Sequence, residues 1–231
     1  MKAVSKLILV TVRGALALGL VLPARAATET YKIQASHSNV GFNVKRFFTK
    51  IPGSFATVDG TIVVDRDALE NSSVDATIAI GSVNTNDAKR DGHLKNDDFF
   101  SADKFPSASF KSTSWKKTGA DTYDVAGNLT IKDVTKPVIL KTKLLGFGKA
   151  ARGLEVAAFE ATTTLDRREF GITYGAPAIA SEVDVVINIE SQKQTTGAAA
   201  NPPPPATKPT AAVNGNFIPE GVWRGVFDIS E

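Results

Sequence analysis

Segment after segment of this 231-residue chain alternates apolar and polar residues with a period of two, and no segment sustains a long helical period. Val40, Phe42 and Val44 share one face of residues 39–45. Val58, Ile62 and Val64 do so in 57–65, with Gly60 in the same register. Val74, Ala76, Ile78 and Ile80 follow in 74–80, and Ala108 and Phe110 in 107–112. Tyr123, Val125, Gly127, Leu129 and Ile131 mark 123–131, and Val138, Leu140 and Leu144 mark 138–144. Residues 159–165 and 183–189 complete the set. This is the signature of half-buried strands, rich in β-branched and aromatic residues. Without crossover helices the strands must run antiparallel. The expected fold is all-β: about eight antiparallel strands closed into a barrel, which removes exposed edges. A β-sandwich satisfies the same alternation.

The ends read differently. Residues 1–26 begin with Lys2, Lys6 and Arg13, continue through an apolar run at 15–22, and close on Ala24-Arg25-Ala26. That is the pattern of a secretory signal peptide cut before Ala27. The run falls short of the ~20 residues that a membrane-spanning helix needs. Removing the segment takes four of the 27 basic residues, leaving 23 against 24 acidic ones. The basic balance therefore belongs to the targeting segment, and no basic stripe remains for nucleic acid. With no cysteine, the exported protein must rest on its hydrophobic core, without disulfides or thiol nucleophiles. Residues 192–231 contain Pro202–Pro205 and read as a Pro-rich linker and disordered tail. The expected folded unit is 27–191.

One connection interrupts the strands. Residues 85–110 gather His93, an Arg90-Asp91 pair, Asp97, Asp98 and four phenylalanines. A short helix is expected over 86–95, capped by Thr85 or Asn86, with Asp87 favoured near its positive end and Gly92 limiting its length. Pro106 stops any continuation.

Alternation gives each strand one apolar face, but not whether the interior is filled. Gly60, Ala76, Ala108, Gly127 and Ala161 leave side-chain volume out of that face. An eight-stranded barrel is wide enough for one small ligand when unfilled. The other reading is that large neighbours fill the space.

Seven pieces then carry a resemblance. SHSNVGFNVK (36–45), GSFATVDGTIVVD (53–65), NTNDAKRDGHLKNDDFF (84–100), KFPSASF (104–110), VAGNLTIKDVTKPV (125–138), LDRREFGI (165–172) and EVDVVINIE (182–190) together resemble the YceI family. The ordered set spans 31–190; Asp133 departs from the glycine usual before Val134-Thr135-Lys136. The resemblance implies a lipocalin-like barrel exported to the bacterial periplasm. It implies a long cavity holding a polyisoprenoid chain, such as that of an isoprenoid quinone, with no cofactor and no catalysis. Val40, Phe42, Val44, Ile62, Ile78, Phe110, Leu129 and Leu140 are then the expected lining, with Phe99 and Phe100 closing one end. Arg90, Asp91 and His93 either contact a head group at the mouth or fasten the helix to the barrel. Transient membrane contact and a homodimer are further expected partners.

Other chemistries have weaker support. His93 with Asp97 and Asp98 offers a partial metal set, with His37 the only further imidazole. An enzyme acting on an apolar substrate through His93 and nearby acids remains a second class of reading. Ser36-His37-Ser38 reads as strand, which sends neighbouring side chains to opposite faces. Gly146-Phe147-Gly148-Lys149 reads as a turn, and Arg167, Arg168 and Glu169 as salt-bridging residues at a strand end.

Overall fold

The computed structural model describes residues 28–195. The expected signal peptide (1–26) and nearly all of the Pro-rich tail lie outside the described residues. The chain forms β1 (Glu29–Ile33), β2 (Asn39–Arg46), β3 (Thr49–Phe55), β4 (Val58–Val64), β5 (Ser73–Ala79) and β6 (Val83–Asn84). Helix α1 (Ala88–Lys95) follows, then β7 (Ser107–Lys117), β8 (Thr122–Ile131), β9 (Val134–Lys149), β10 (Glu155–Asp166) and β11 (Ile179–Lys193).

Hydrogen bonding closes the sheet. Neighbours run β1-β4-β5-β7-β8-β9-β10-β11, and β11 pairs back to β1 through Tyr31 and Lys193. Every pairing among these is antiparallel. The ring has eight strands and no sandwich seam. The three remaining strands extend one rim. β2 continues β1 along the same edge of β11, with Ile187 opposite Val40 and Ile179 opposite Arg46. β3 precedes β4 in the same way and pairs β2, while β6 meets β3 through Phe55 and Val83.

Three strands were not expected from the sequence. β3 carries Pro52 and Gly53, which break a strand pattern. Pro52 is tolerated because β6 pairs only Ser54 and Phe55, leaving an edge along the rest of β3. β1 and β6 are five and two residues long, too short to show a period. β9 begins at Val134 and includes Pro137, rather than beginning after it. Its ladder with β10 starts only at Lys141, so Pro137 also sits on an unpaired edge. Gly146–Lys149 is strand rather than turn, and the β9–β10 register shifts there at Ala158/Phe159. Residues 35–37 form a short 3-10 helix at the β1–β2 kink rather than strand.

The expected apolar parity holds. Val58, Ile62, Val64, Phe110, Val125 and Leu129 point inward and are buried. Burying such a side chain contributes about 1.5–3 kcal/mol. Two small residues leave no free space, however. A Cβ on Gly127 would stand 2.4 Å from the Phe110 ring and 2.6 Å from the Lys111 carbonyl. A Cβ on Gly60 would meet the Asp75 carbonyl at 2.4 Å. Strand neighbours therefore occupy the space at Gly60 and Gly127.

The rim near β1 is tied by charge. The Lys193 ammonium bridges Glu29 at 2.6 Å and Glu155 at 2.7 Å. Arg66 donates to Glu29 and to the Tyr31 hydroxyl, and its guanidinium lies 4.4 Å above the Phe147 ring. Burial pushes the Glu29 carboxyl up, but hydrogen bonds from Lys193, Tyr31 and Arg66 bring it below its ordinary value. The other rim lies at the Ile179 end of β11.

Candidate functional site

Inside the ring lies a cavity of about 200 Å³. Its wall is hydrocarbon apart from Trp115, Thr142, Thr163 and Arg167. Ala76, Ala108 and Ala161 all face it, so these small residues do leave room. Phe110 and Leu129 come from paired positions on β7 and β8, and Val125 and Leu140 from paired positions on β8 and β9. Trp115 is buried, and its indole N–H has no acceptor among the described residues. Its ring meets Phe159 edge-on at 6.0 Å.

A second cavity of about 380 Å³ adjoins the first. The two share Phe42, Phe100, Arg167, Ile172 and Val183 as lining. The second is bordered by the turn end of the β2–β3 hairpin (Val44, Arg46, Ile51), by α1 (Arg90, His93, Leu94), and by Tyr174 and Ile179. Polarity thus rises from the barrel interior toward the rim.

Of the residues expected to line the interior, Val40, Phe42, Ile62, Ile78, Phe110, Leu129 and Leu140 face the inner cavity. Phe100 faces both cavities and packs edge-on against Phe55 at 5.6 Å. Val44 and Phe99 border the outer cavity only. Val44 lies on β2, which is past the closed ring and walls the extended rim.

The polar cluster divides. The α1 cap is Asp87, not Thr85 or Asn86: its carboxylate accepts from the Lys89 and Arg90 amides. Those bonds, led by the Arg90 amide, hold the Asp87 carboxyl below its ordinary value. Thr85 is the anchor for the helix instead. Its amide and hydroxyl donate to Asp91 Oδ1 at 2.8 and 2.6 Å. Arg90 donates from Nε to the Thr85 hydroxyl and from Nη2 to the Thr85 carbonyl. Asp91 borders neither cavity, whereas Arg90 and His93 border the outer one.

His93 sits among rings. Phe99 lies 5.1 Å away and Tyr174 4.9 Å away, and those two are 5.2 Å apart. His93 Nε2 is 2.8 Å from Asp98 Oδ2. Asp97 pairs instead with Lys104 at 3.1 Å, and His37 with Glu190 at 3.0 Å. Among the described residues no three His, Asp or Glu side chains stand together as a metal set.

Arg167 was not among the expected site residues. The sequence predicts salt bridging there, and the structure corrects this for Arg167. Arg168, not Arg167, grips Asp166, and that contact brings the Asp166 carboxyl down to about 2. The Arg167 side chain turns inward and is buried. Nε, Nη1 and Nη2 donate to the carbonyls of Ala180, Ile172 and Ile179 at 2.8, 2.9 and 3.0 Å. Burial lowers the guanidinium from its ordinary value, with Asp166 opposing the shift. Arginine stays charged in proteins and has five N–H donors, so two donors remain beyond these bonds. No carboxylate forms an ion pair with Arg167 among the described residues. A buried cation at the junction of two cavities is costly unless something polar meets it. A sequence signal existed: Phe159, Ala161, Thr163 and Leu165 face the cavity at every second position, and Arg167 falls next in that register while Arg168 does not.

A closed, hollow eight-stranded antiparallel barrel with one extended rim defines a lipocalin-like barrel. The YceI-like domain matches residues 31–191, and the chain belongs to that family. Protein YceI of Salmonella arizonae is 38% identical over 172 residues, covering 73% of this chain and 90% of that one. Among solved structures, BcnA of Burkholderia cenocepacia superposes with a TM-score of 0.63 at 22% identity, over 68% of this chain and 98% of that one. A polyisoprenoid binding domain from Saccharophagus degradans superposes with a TM-score of 0.56 at 14% identity, over 71% of this chain and 98% of that one. These two structures share the fold.

Proposed function

We propose that this protein binds an isoprenoid lipid, with its chain in the inner cavity and its polar end toward the outer one, and carries or stores it in the periplasm. The observation that carries the reading is the pair of joined cavities, hydrocarbon inside and cationic toward the rim. A branched hydrocarbon chain suits a wall of aliphatic and aromatic side chains. Each buried methylene contributes roughly 0.8 kcal/mol, so a five-carbon unit supplies on the order of 3–4 kcal/mol before ordering losses. Few polar contacts are then needed. Arg167, Arg90, His93 and Tyr174 meet the chain's oxygenated end, with an isoprenoid quinone or a polyprenyl derivative as the ligand class. The polyisoprenoid binding named for the Saccharophagus domain, which shares this fold, agrees with that class. The hydrophobic start of the chain supports export.

Native mass spectrometry of the protein purified from its host tests the reading. The expected result is a co-purifying lipid mass that detergent strips and an added isoprenoid quinone or polyprenol restores. A single ligand-free mass that takes up neither compound would exclude it.

A further inference from the structure

The β2–β3 hairpin ends in two phenylalanines that the barrel does not use. Arg46 and Thr49 are paired, leaving Phe47 and Phe48 as a two-residue loop. Phe48 is 96% exposed and Phe47 59% exposed. The flanking residues Lys45, Arg46, Thr49 and Lys50 are exposed as well. Neither ring joins the hydrophobic core, and that of Phe48 stands almost wholly in solvent.

The backbone makes the choice of residue more pointed. Phe47 has φ = 52°, the left-handed region. Tight hairpin turns with positive φ favour Gly, Asn or Asp, because a Cβ is strained there. Strain kept at an exposed loop points to function rather than to folding. The Phe47 amide donates to the Ala178 carbonyl at 3.0 Å, which holds the tip in place. The Arg46 guanidinium lies 5.2 Å from the centre of the Phe47 ring.

The surrounding charge is positive. Lys50 is matched by Asp184 at 3.1 Å. Lys45 and Arg46 have no acidic partner among the described residues, and Lys45 stands directly opposite Lys50 across the hairpin. With Lys50 already met by Asp184, Lys45 and Arg46 are the tip's cations left for an outside anion. Exposed aromatics ringed by basic residues match an anionic lipid surface, with apolar side chains entering the headgroup layer and cations meeting the phosphates.

We propose that Phe47 and Phe48, flanked by Lys45 and Arg46, form a docking tip for the anionic phospholipid surface of a bilayer. The same hairpin walls the outer cavity with Val44, Arg46 and Ile51, one to three residues from the tip. Docking therefore brings that mouth to the bilayer, where a lipid ligand would enter or leave. This loading role rests on the isoprenoid reading; the docking itself does not.

The test is flotation with vesicles of phosphatidylethanolamine containing a minority of phosphatidylglycerol, using the protein as the cell processes it. Phosphatidylcholine vesicles and high salt are the controls. The wild type should float with the anionic vesicles, less with phosphatidylcholine, and less in salt. The double variant Phe47→Asn/Phe48→Ser should lose about tenfold or more of this association. It should unfold at an equal or higher denaturant midpoint, because asparagine accepts positive φ. Uptake of a polyprenol delivered from ethanol, without vesicles, should be unchanged in the variant. Absence of flotation by the wild type, or equal flotation by the variant, overturns the proposal. So does a concentration-dependent dimer that replaces vesicle binding and is lost in the variant, since the tip would then pair two copies of the chain. If the wild type floats but takes up no polyprenol, the ligand reading fails while the docking tip stands.

Discussion

At the scale of single residues, the structural role of Arg167 and the ligand role proposed for it separate in one experiment. Its three hydrogen bonds hold the carbonyls of Ile172, Ile179 and Ala180 in place. Arg167→Met keeps the length of the side chain and removes those donors. It should lower stability by on the order of 3 kcal/mol, since buried carbonyls left unpaired cost about 1–3 kcal/mol each when water cannot replace the donor. Urea unfolding reads that loss. Arg167→Lys should recover part of the stability but not the planar fork. The ligand role has its own readout. Arg167→Met should weaken binding of a polyprenol or quinone relative to a plain isoprenoid hydrocarbon of equal length, whereas a purely structural role would weaken all three alike. Other residues were legible because burial follows parity: once Ile62 and Leu129 are placed inward, period two fixes Val64 and Val125. The inward register of Ala161, Thr163 and Leu165 continues to Arg167, but a charged residue just past β10 reads as a surface group, because its carbonyl partners at 172, 179 and 180 are invisible locally; parity says nothing about Gly127, whose apparent vacancy is filled by the ring of Phe110.

At the scale of elements, alternation was enough where a strand is long and half-buried, and it failed where the physics of the edge takes over. β3 with Pro52 and β9 with Pro137 are strands because one side of each proline faces no ladder partner. No local pattern reveals that, since it depends on which strand lies next door. Helix α1 was legible from its polar run and Gly92, but its start was displaced to Asp87, because Thr85 is engaged elsewhere. That engagement gives a prediction. Asp91 accepts both the amide and the hydroxyl of buried Thr85. Asp91→Ala leaves both donors without their acceptor and should cost about 1–3 kcal/mol. Because the loss is local, hydrogen exchange should accelerate across 85–96 while the β8–β9 amides keep their protection. Uniform acceleration across the barrel would contradict the view that this contact fastens α1 alone.

At the scale of the molecule, the expected responses to pH and to the length of the proposed ligand involve the whole barrel. Several carboxyls lie below their ordinary values: Asp166 at about 2 beside Arg168, Asp184 beside Lys50, and Glu155 beside Lys193. A depressed carboxyl binds fewer protons in the folded state than in the unfolded one. Its stabilisation is complete above the ordinary carboxyl value, near 4, and is lost as pH falls through the folded-state value. The melting temperature should therefore be level between about pH 5 and 7 and fall steeply between about 4 and 2. A melting temperature that rises on acidification would contradict these assignments. Chain length probes the interior itself. A ligand that binds only the folded state raises stability by RT ln(1 + [L]/Kd), so melting reports affinity without a label. For polyprenols at one fixed concentration, each added isoprene unit buries about five carbons until the joined cavities are full. Even after ordering losses that is worth at least ~1.4 kcal/mol, or tenfold in affinity, per unit. The melting temperature should climb with each unit from two upward and then level off once further units extend past the rim into water. Filling the inner cavity alters where the plateau begins: Ala108→Leu and Ala161→Leu shorten the space and should bring it to a smaller number of units. A melting temperature indifferent to chain length, or a plateau that these two variants leave in place, would mean that the inner cavity is not where the chain lies.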